Sequence, residues 1–407
     1  MKNERILAQG ISISNNTIET GLNNNDLIIG SSGSGKTGGY VIPNLQNLEG
    51  SIVVSDTKGG TLERQFKDKF IEKGYKVYSI NLVDTERSCS YNPLKNIRRD
   101  KDGNYREQDV LTLATLLSPN QTRDDPFWDN AAAAQIAFYI AYCLDALPPE
   151  EQTMASVCSL HGIYCQSGGR DFFLKWSAQN PNTYAAKKFS HINGVSQSEK
   201  TSGCINEFVS LALSPFNFRE AEALFGKSES IDLADLGREK MVLFLNVSDT
   251  DTTFDKIVNI IYAQALQMLC HEADNQPGGK LKVPVRIIMD DFAASACIPG
   301  FDKIISVIRS RDISVSLVLQ SLTQLETMYT PPTAKTIINN CDHLIYLGCQ
   351  DLDTANFIAH HLGKTPEKVL DLPLSDSIII TKGEKARQAK KVVPYSTLEP
   401  ETVPASA

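Results

Sequence analysis

The sequence predicts an α/β fold on a parallel sheet, interrupted by an all-helical insertion, and three observations carry that prediction. First, short apolar runs alternate with helical patterns at both ends of the chain: DLII, SIVVS and KVYSI before residue 95, then MVLFLNV, VRIIM and SVSLVL after residue 232. Strands without a polar face need cover on both faces, as in βαβ units. Second, no convincing strand occurs from about Asn96 to Asp232, where apolar residues take helical spacing. Third, the first apolar run is followed by a Gly/Ser turn that opens a helix, the setting of a phosphate-binding loop.

Taken in order, Asp26 to Ile29 reads as a strand, followed by the glycine loop and a helix start. Ser51 to Ser55 is a second strand, Thr61 to Lys73 an amphipathic helix and Lys76 to Ile80 a third strand. The character changes after Asn92-Pro93-Leu94. Helical spacing then marks Val110–Leu117, Ala131–Leu147 and Ile205–Leu213. The strand Met241 to Val247 resumes the α/β pattern, followed by a long helix from Phe254 to His271 and a turn at Asn275-Gln-Pro-Gly-Gly279. Strands follow at Val285–Met289, Ser314–Leu319 and Asp342–Leu347, with helices at Phe301–Arg309 and Asp353–Leu362. A hairpin around Gly383 joins Ser377–Thr381 to Lys391–Val393. The expected division is a discontinuous nucleotide-binding domain, 1–95 with 233–407, and an inserted domain, 96–232.

A length of 407 residues suits two domains. A net charge of −8 argues against a protein that simply coats DNA, whose footprint is basic. It leaves room for a ring-shaped motor with a small basic lining. The nine cysteines are odd in number and scattered, with no CxxC pair, so neither a disulfide framework nor a zinc site is expected, and a reducing compartment is. The adjacent His360 and His361 point to different faces of any helix and read as structural or surface residues. No signal peptide is visible. The longest apolar stretch, Ala131 to Leu144, falls short of the roughly 20 residues of a membrane span and contains Gln135, so it reads as a buried core helix.

The segment Gly30-Ser-Ser-Gly33-Ser-Gly35-Lys36-Thr37 fits GxxxxGK[ST] between a strand and a helix. Its glycines let backbone N–H groups converge on a phosphate, Lys36 supplies charge to the β and γ oxygens, and Thr37 supplies a hydroxyl to Mg²⁺. Such a loop needs a carboxylate at the end of a neighbouring strand, and Asp290 after VRIIM provides it. Asp291 stands where a water-orienting carboxylate would act; as plain structure it would cap the next helix. Gln320 ends the strand SVSLVL and can sense a γ-phosphate. Arg309 and Arg311 close the preceding helix. Either could reach a neighbouring subunit's nucleotide, or both could simply complete the helix dipole. Asp56-Thr-Lys-Gly-Gly60 closes the second strand and faces the same crevice, or is an ordinary loop.

These pieces in this order resemble the type IV coupling proteins, the hexameric ATPases of conjugation and type IV secretion. The matching residues are GSSGSGKT, Ile42-Pro-Asn-Leu45, Val53-Val-Ser-Asp-Thr-Lys-Gly59, Tyr91-Asn-Pro-Leu94 and Ser198-Glu-Lys200. Asp290-Asp-Phe-Ala293, Ile298-Pro299, Ile308-Arg-Ser-Arg311, Gln320-Ser321, Gln324-Leu325, Asn339-Asn340 and Asp351 to Ala355 complete the match. The resemblance implies a RecA-like P-loop nucleotide-binding domain with an inserted all-α domain for substrate or DNA recognition. It implies ATP and Mg²⁺ as cofactors, Lys36 and Thr37 as the nucleotide-binding pair, Asp290 as the Mg²⁺ carboxylate, Arg309 as an arginine finger and Gln320 as a sensor. Implied partners are DNA with its attached relaxase, relaxosome proteins, type IV secretion channel components and further copies in a homo-hexamer. The family usually carries Glu where this chain has Asp291, and usually begins with transmembrane helices where this chain has about two dozen polar residues before its first strand. The implied location is the cytoplasmic face of the plasma membrane, with the anchor missing from this chain or supplied by a partner.

Two other readings compete, a receptor for protein cargo and an unrelated P-loop enzyme. A receptor ATPase for protein effectors suits the acidic balance of the insertion, 12 Lys and Arg against 17 Asp and Glu. A small-molecule kinase would need an arginine-rich lid, and an ABC-type ATPase an LSGGQ-like signature; neither is present.

Overall fold

Every side chain of the central strands is buried, which is why they read as unbroken apolar runs. The computed structural model describes residues 3–47, 49–119, 126–195, 198–227, 230–248, 250–251, 253–290, 292 and 297–393. Its strands are β1 (Glu4–Ala8), β2 (Ile11–Ser14), β3 (Asp26–Ile29), β4 (Ser51–Asp56), β5 (Lys76–Asn81), β6 (Met241–Asn246), β7 (Val285–Met289), β8 (Ile313–Leu319), β9 (His343–Tyr346), β10 (Asp376–Thr381) and β11 (Arg387–Lys390). Among the described residues, nine of these form one sheet in the order β11-β10-β9-β3-β8-β7-β4-β6-β5. The run β9-β3-β8-β7-β4 is parallel, and β10 turns antiparallel on β9 and β11.

This order corrects one expectation. The strand that ends at Asp290 is not the neighbour of the glycine-loop strand: β8 lies between β3 and β7. The strand that leads to Gln320 therefore flanks the glycine-loop strand on one side, as β9 does on the other. Chain order and spatial order differ here because each crossover helix can skip a strand.

The polar stretch before β3 is also structured. β1 and β2 form an antiparallel hairpin, and α1 (Thr17–Thr20) follows it, capped by the Asn16 side chain. Asn44 in α2 (Ile42–Asn47) pins the hairpin, accepting from Ile6 N at 2.9 Å and donating to Ile6 O at 2.9 Å. The C-terminal hairpin is present, but its second strand is Arg387–Lys390 rather than 391–393. As an edge strand it needs no apolar run.

The chain divides into two compact units, Met1–Val77 with Leu236–Phe244 and Cys270–Ala407, and Tyr78–Asp235 with Leu245–Leu269. In the first unit the core gathers Ile28, Val41, Ile52, Val54, Phe66 and Ile288 around the sheet. In the second, α4 (Glu107–Leu117), α5 (Phe127–Ala146), α6 (Met154–Cys165), α7 (Gly169–Gln179), α8 (Tyr184–Val195), α9 (Glu199–Leu213) and α10 (Arg219–Phe225) follow one another. The long apolar stretch lies in α5 and is buried on nearly all sides from Ala132 to Cys143, as a central helix requires. Phe138 meets Phe173 at 5.1 Å and Phe189 at 5.3 Å between ring centroids. Among the described residues, no helix is long and apolar enough to cross a membrane.

The Tyr91-Asn-Pro-Leu94 motif stitches the second unit. Ile231 N donates to Ser90 O at 3.2 Å, Tyr91 N to Leu224 O at 2.9 Å and Asn92 N to Ser230 Oγ at 2.8 Å. Asn92 Oδ1 accepts from Leu94 N, and the buried Tyr91 hydroxyl donates to Gln264.

Candidate functional site

β3 delivers the chain to the glycine loop at the carboxyl end of the sheet. Gly30 N donates to Leu319 O on β8 at 3.1 Å, and Ser31 N donates to Gly348 O beyond β9 at 2.9 Å. Glycine is required here on two counts. A Cβ on Gly30 would stand 2.3 Å from Ser34 Oγ and 3.0 Å from Leu347 Cβ, while Gly33 and Gly35 take φ of 77° and 92°. Lys36 folds back over the loop and donates to Gly30 O at 2.7 Å and Ser31 O at 3.2 Å. Beyond it, Thr37–Val41 forms a π-helical turn that runs into α2.

Thr37 and Asp290 meet although 253 positions separate them: Thr37 Oγ1 donates to Asp290 Oδ2 at 2.8 Å. Asp290 is only 5% exposed. Its backbone is fastened to β4, where Ser55 Oγ accepts from Asp290 N at 2.7 Å and donates to Asp290 O at 3.1 Å. Ser55 thus orients the carboxylate, a role that nothing in the sequence pattern assigned; its only signal is its place at the end of a buried strand. A hydroxyl and a carboxylate side by side are hard oxygen donors of the kind Mg²⁺ takes, with its remaining ligands supplied by water and phosphate.

The other predicted residues are placed as follows. Gln320 is exposed at the end of β8, next to the Leu319 carbonyl that holds Gly30, and its backbone N donates to Gln324 Oε1 at 3.0 Å. Asp56 ends β4, and its carboxylate caps the following loop and helix α3 (Thr61–Glu72), accepting from Lys58 N at 3.0 Å and Leu62 N at 2.5 Å. Arg309 lies in a 3₁₀ turn, Ile308–Arg311, and donates to Gly21 O at 2.9 Å and Thr17 O at 3.3 Å at the end of α1. Arg311 pairs with Asp274 at 2.8 Å. Asp291 lies outside the described residues. The structure thus brings Gly30, Gly33, Gly35, Lys36, Thr37, Asp290 and Gln320 to one end of the sheet, with Asp56 engaged by its own loop and Arg309 by α1.

Beneath this loop sits a buried charge cluster that sequence reasoning missed. Asp26, the first residue of β3, lies 2.9 Å from Arg5 Nε, 3.3 Å from Arg286 Nη1 and 3.3 Å from His343 Nδ1. Tyr40, in the π-helical turn, donates its hydroxyl to Asp26 and lies 2.9 Å from Ser316 Oγ. Burial alone would raise the Asp26 pKa, but Arg5, His343 and Arg286 drive it well below the usual carboxylate range. Burial, then the Asp26 charge, pushes the Tyr40 phenol far upward, so it stays a donor. The cluster ties the N-terminal hairpin, four strands and the turn that follows Thr37 into one body.

Comparison with known proteins bears on this arrangement. The profile of the family described as type IV secretory system conjugative DNA transfer matches residues 3–366. The chain is 20% identical over 355 residues to Protein VirD4 of Rhizobium rhizogenes, covering 86% of this chain and 50% of that protein. Protein VirD4 of Agrobacterium fabrum matches at 20% over 343 residues, 83% of this chain and 49% of that protein. The chain therefore spans about half the length of the relatives it matches. Among solved structures, the plasmid coupling protein TrwB in complex with ADP and Mg²⁺ aligns with a TM-score of 0.70 at 15% identity, covering 97% of this chain and 89% of that chain. VirB4 of Thermoanaerobacter pseudethanolicus aligns with a TM-score of 0.55 at 12% identity, covering 92% and 91%. These likenesses establish the fold, a RecA-like P-loop α/β domain with an all-α part.

Proposed function

We infer the function from a family premise: this chain belongs to the type IV secretory system conjugative DNA transfer family. The reading is that of an ATP-driven DNA translocase, a coupling protein that links the relaxosome to a type IV secretion channel during conjugation. The observation that carries it is the 2.8 Å contact between Thr37 and Asp290 at the mouth of the glycine loop. It joins the two groups that a Mg²⁺-bound nucleoside triphosphate needs from opposite parts of the chain.

In this reading Gly30, Gly33 and Gly35 present backbone N–H groups to the phosphates. Lys36 leaves the carbonyls of Gly30 and Ser31 for the β and γ oxygens. Thr37 and Asp290 would hold Mg²⁺, which would supply positive charge to offset that of the phosphates. Ser55 keeps Asp290 aimed. Asp291 orients the attacking water, and Gln320 senses the γ-phosphate from the adjoining strand end. Asp56 fixes the loop after β4 beside the nucleotide. Arg309 acts in a homo-hexamer, leaving α1 of its own chain to stabilise charge on the neighbour's ATP. The all-α segment 96–232 recognises single-stranded DNA with its relaxase or other relaxosome proteins. The assembly works at the cytoplasmic face of the membrane against the secretion channel.

Three measurements test this. The protein should hydrolyse ATP in a Mg²⁺-dependent manner, with activity that rises faster than linearly with protein concentration or on adding single-stranded DNA. DNA affinity should fall steeply as salt rises, because phosphate contacts release counterions; salt-independent binding would remove DNA as the substrate. Mixing inactive Arg309→Ala protein with inactive Lys36→Ala protein should restore part of the activity, since mixed rings contain junctions with both groups intact. No recovery in rings shown to be mixed would mean that Arg309 works in cis or merely caps a helix.

A further inference from the structure

The phosphate loop is held by a second lysine that comes from the far end of the sequence. Lys391 follows the edge strand β11, and its backbone N donates to Ser375 O at 2.9 Å. Its half-buried ammonium donates to Leu347 O at 2.7 Å and to Ser34 O at 3.0 Å. Leu347 N in turn donates to Ile29 O at 2.7 Å, at the end of β3. The ammonium therefore bridges the strand end beside the loop and the loop itself. The segment is seated on both sides: Gln9 N of the N-terminal hairpin donates to Lys390 O at 2.9 Å, and Val392 is buried with its carbonyl 3.6 Å from the place a Cβ on Gly39 would take.

The bond to Ser34 O matters because of peptide geometry. In a trans peptide the carbonyl of one residue and the N–H of the next point in opposite directions. Among the described residues no peptide bond is cis. Pinning the Ser34 carbonyl outward on Lys391 therefore aims the Gly35 N–H inward. Gly35 sits at φ 92°, where glycine moves freely, so the peptide before it can flip unless it is held. Lys36 restrains the carbonyls of Gly30 and Ser31, at the other end of the loop, and in the proposed function it leaves them for the phosphates. Lys391 restrains a carbonyl that need not be released.

We propose that Lys391 is a positioning residue of the phosphate loop, holding the Ser34 carbonyl so that the Gly35 N–H stays turned toward the nucleotide phosphates. The inference rests on the nucleotide-binding reading of this site and adds a residue to it. Its signature is on affinity rather than on the chemical step, because the loop must be preformed to bind but Lys391 does not touch the reacting atoms.

The test is ATP titration and steady-state hydrolysis of the full chain carrying Lys391→Met, Lys391→Gln or Lys391→Arg, with thermal unfolding measured alongside. Lys391→Met should weaken ATP binding by about tenfold, the scale of one lost charge-assisted hydrogen bond, and raise KM with little change in kcat. Lys391→Arg, which keeps a charged donor, should recover most of the affinity. If the methionine variant melts early, the glutamine variant takes its place, with the same loss of affinity expected. Wild-type affinity in a folded methionine or glutamine variant, while Lys36→Ala binds poorly, overturns this inference and leaves the nucleotide site standing. Failure of the unaltered protein to bind ATP overturns both.

Discussion

Replacing Lys36 with alanine is expected to lower ATP hydrolysis by at least about two to three orders of magnitude, the scale seen when one preorganised charge-stabilising donor is removed. The side chain reaches the Gly30 and Ser31 carbonyls at the mouth of the loop, and the other lysine beside the loop, Lys391, is already committed to Ser34 O and Leu347 O. Asp290→Ala should give a loss of the same order, by removing the carboxylate partner of Thr37. Phosphate release at saturating ATP and Mg²⁺ is the measurement. Turnover like that of the unaltered protein in either variant would end the motor assignment, whatever the protein binds. Neither residue belongs to the buried cluster around Asp26.

The cluster itself carries the second large effect. Asp26→Asn keeps the shape of the side chain but leaves Arg5 and Arg286 facing each other without a counter-charge. Removing one partner of a buried ion pair costs about 3–5 kcal/mol, and the denaturation midpoint should fall accordingly. An unchanged midpoint would mean that Tyr40, Ser316 and the hairpin hold these guanidiniums without the carboxylate. The pH dependence has a definite sign. A native pKa below that of the unfolded chain makes the Asp26 contribution complete above about pH 4, with loss beginning there as the pH falls and running down through the native value. Acidification to about pH 5 should therefore leave this contribution intact.

The parts of the molecule were not equally legible in the sequence. The glycine loop, Asp290 and Gln320 were readable because each sits where a buried strand ends and a polar residue begins, a local pattern. The unbroken apolar strands were readable because burial on both faces leaves no alternation to confuse. What was not legible depends on spatial order. That β8 separates β3 from β7 is a property of crossovers, and it puts Gln320 at the end of a strand that flanks the loop. Arg5 reads as a surface charge in a polar leader, yet it is fully buried, because its partners come from residues 26 and 343. The hairpin around it is too short for its alternation to count. Lys391 meets Ser34 across 357 positions, a separation that no periodicity can register. Asp56 was read from its position at a strand end, whereas its carboxylate goes to Lys58 N and Leu62 N.

The hydrogen bond between Ile231 N and Ser90 O has a consequence for how the molecule can vary. The helical stretch between these residues starts and finishes at one place, so it is a closed loop. The entropy lost in closing a loop rises only with the logarithm of its length, roughly 0.6 kcal/mol for each doubling. Once Tyr91, Asn92 and Ser230 hold the neck shut, lengthening, shortening or exchanging what hangs beyond it is cheap in entropy. The neck makes the helices a cassette: the loop's contents could be traded among descendants of one ancestor, while the residues that clasp its two ends, and the glycine loop at the sheet, were left untouched.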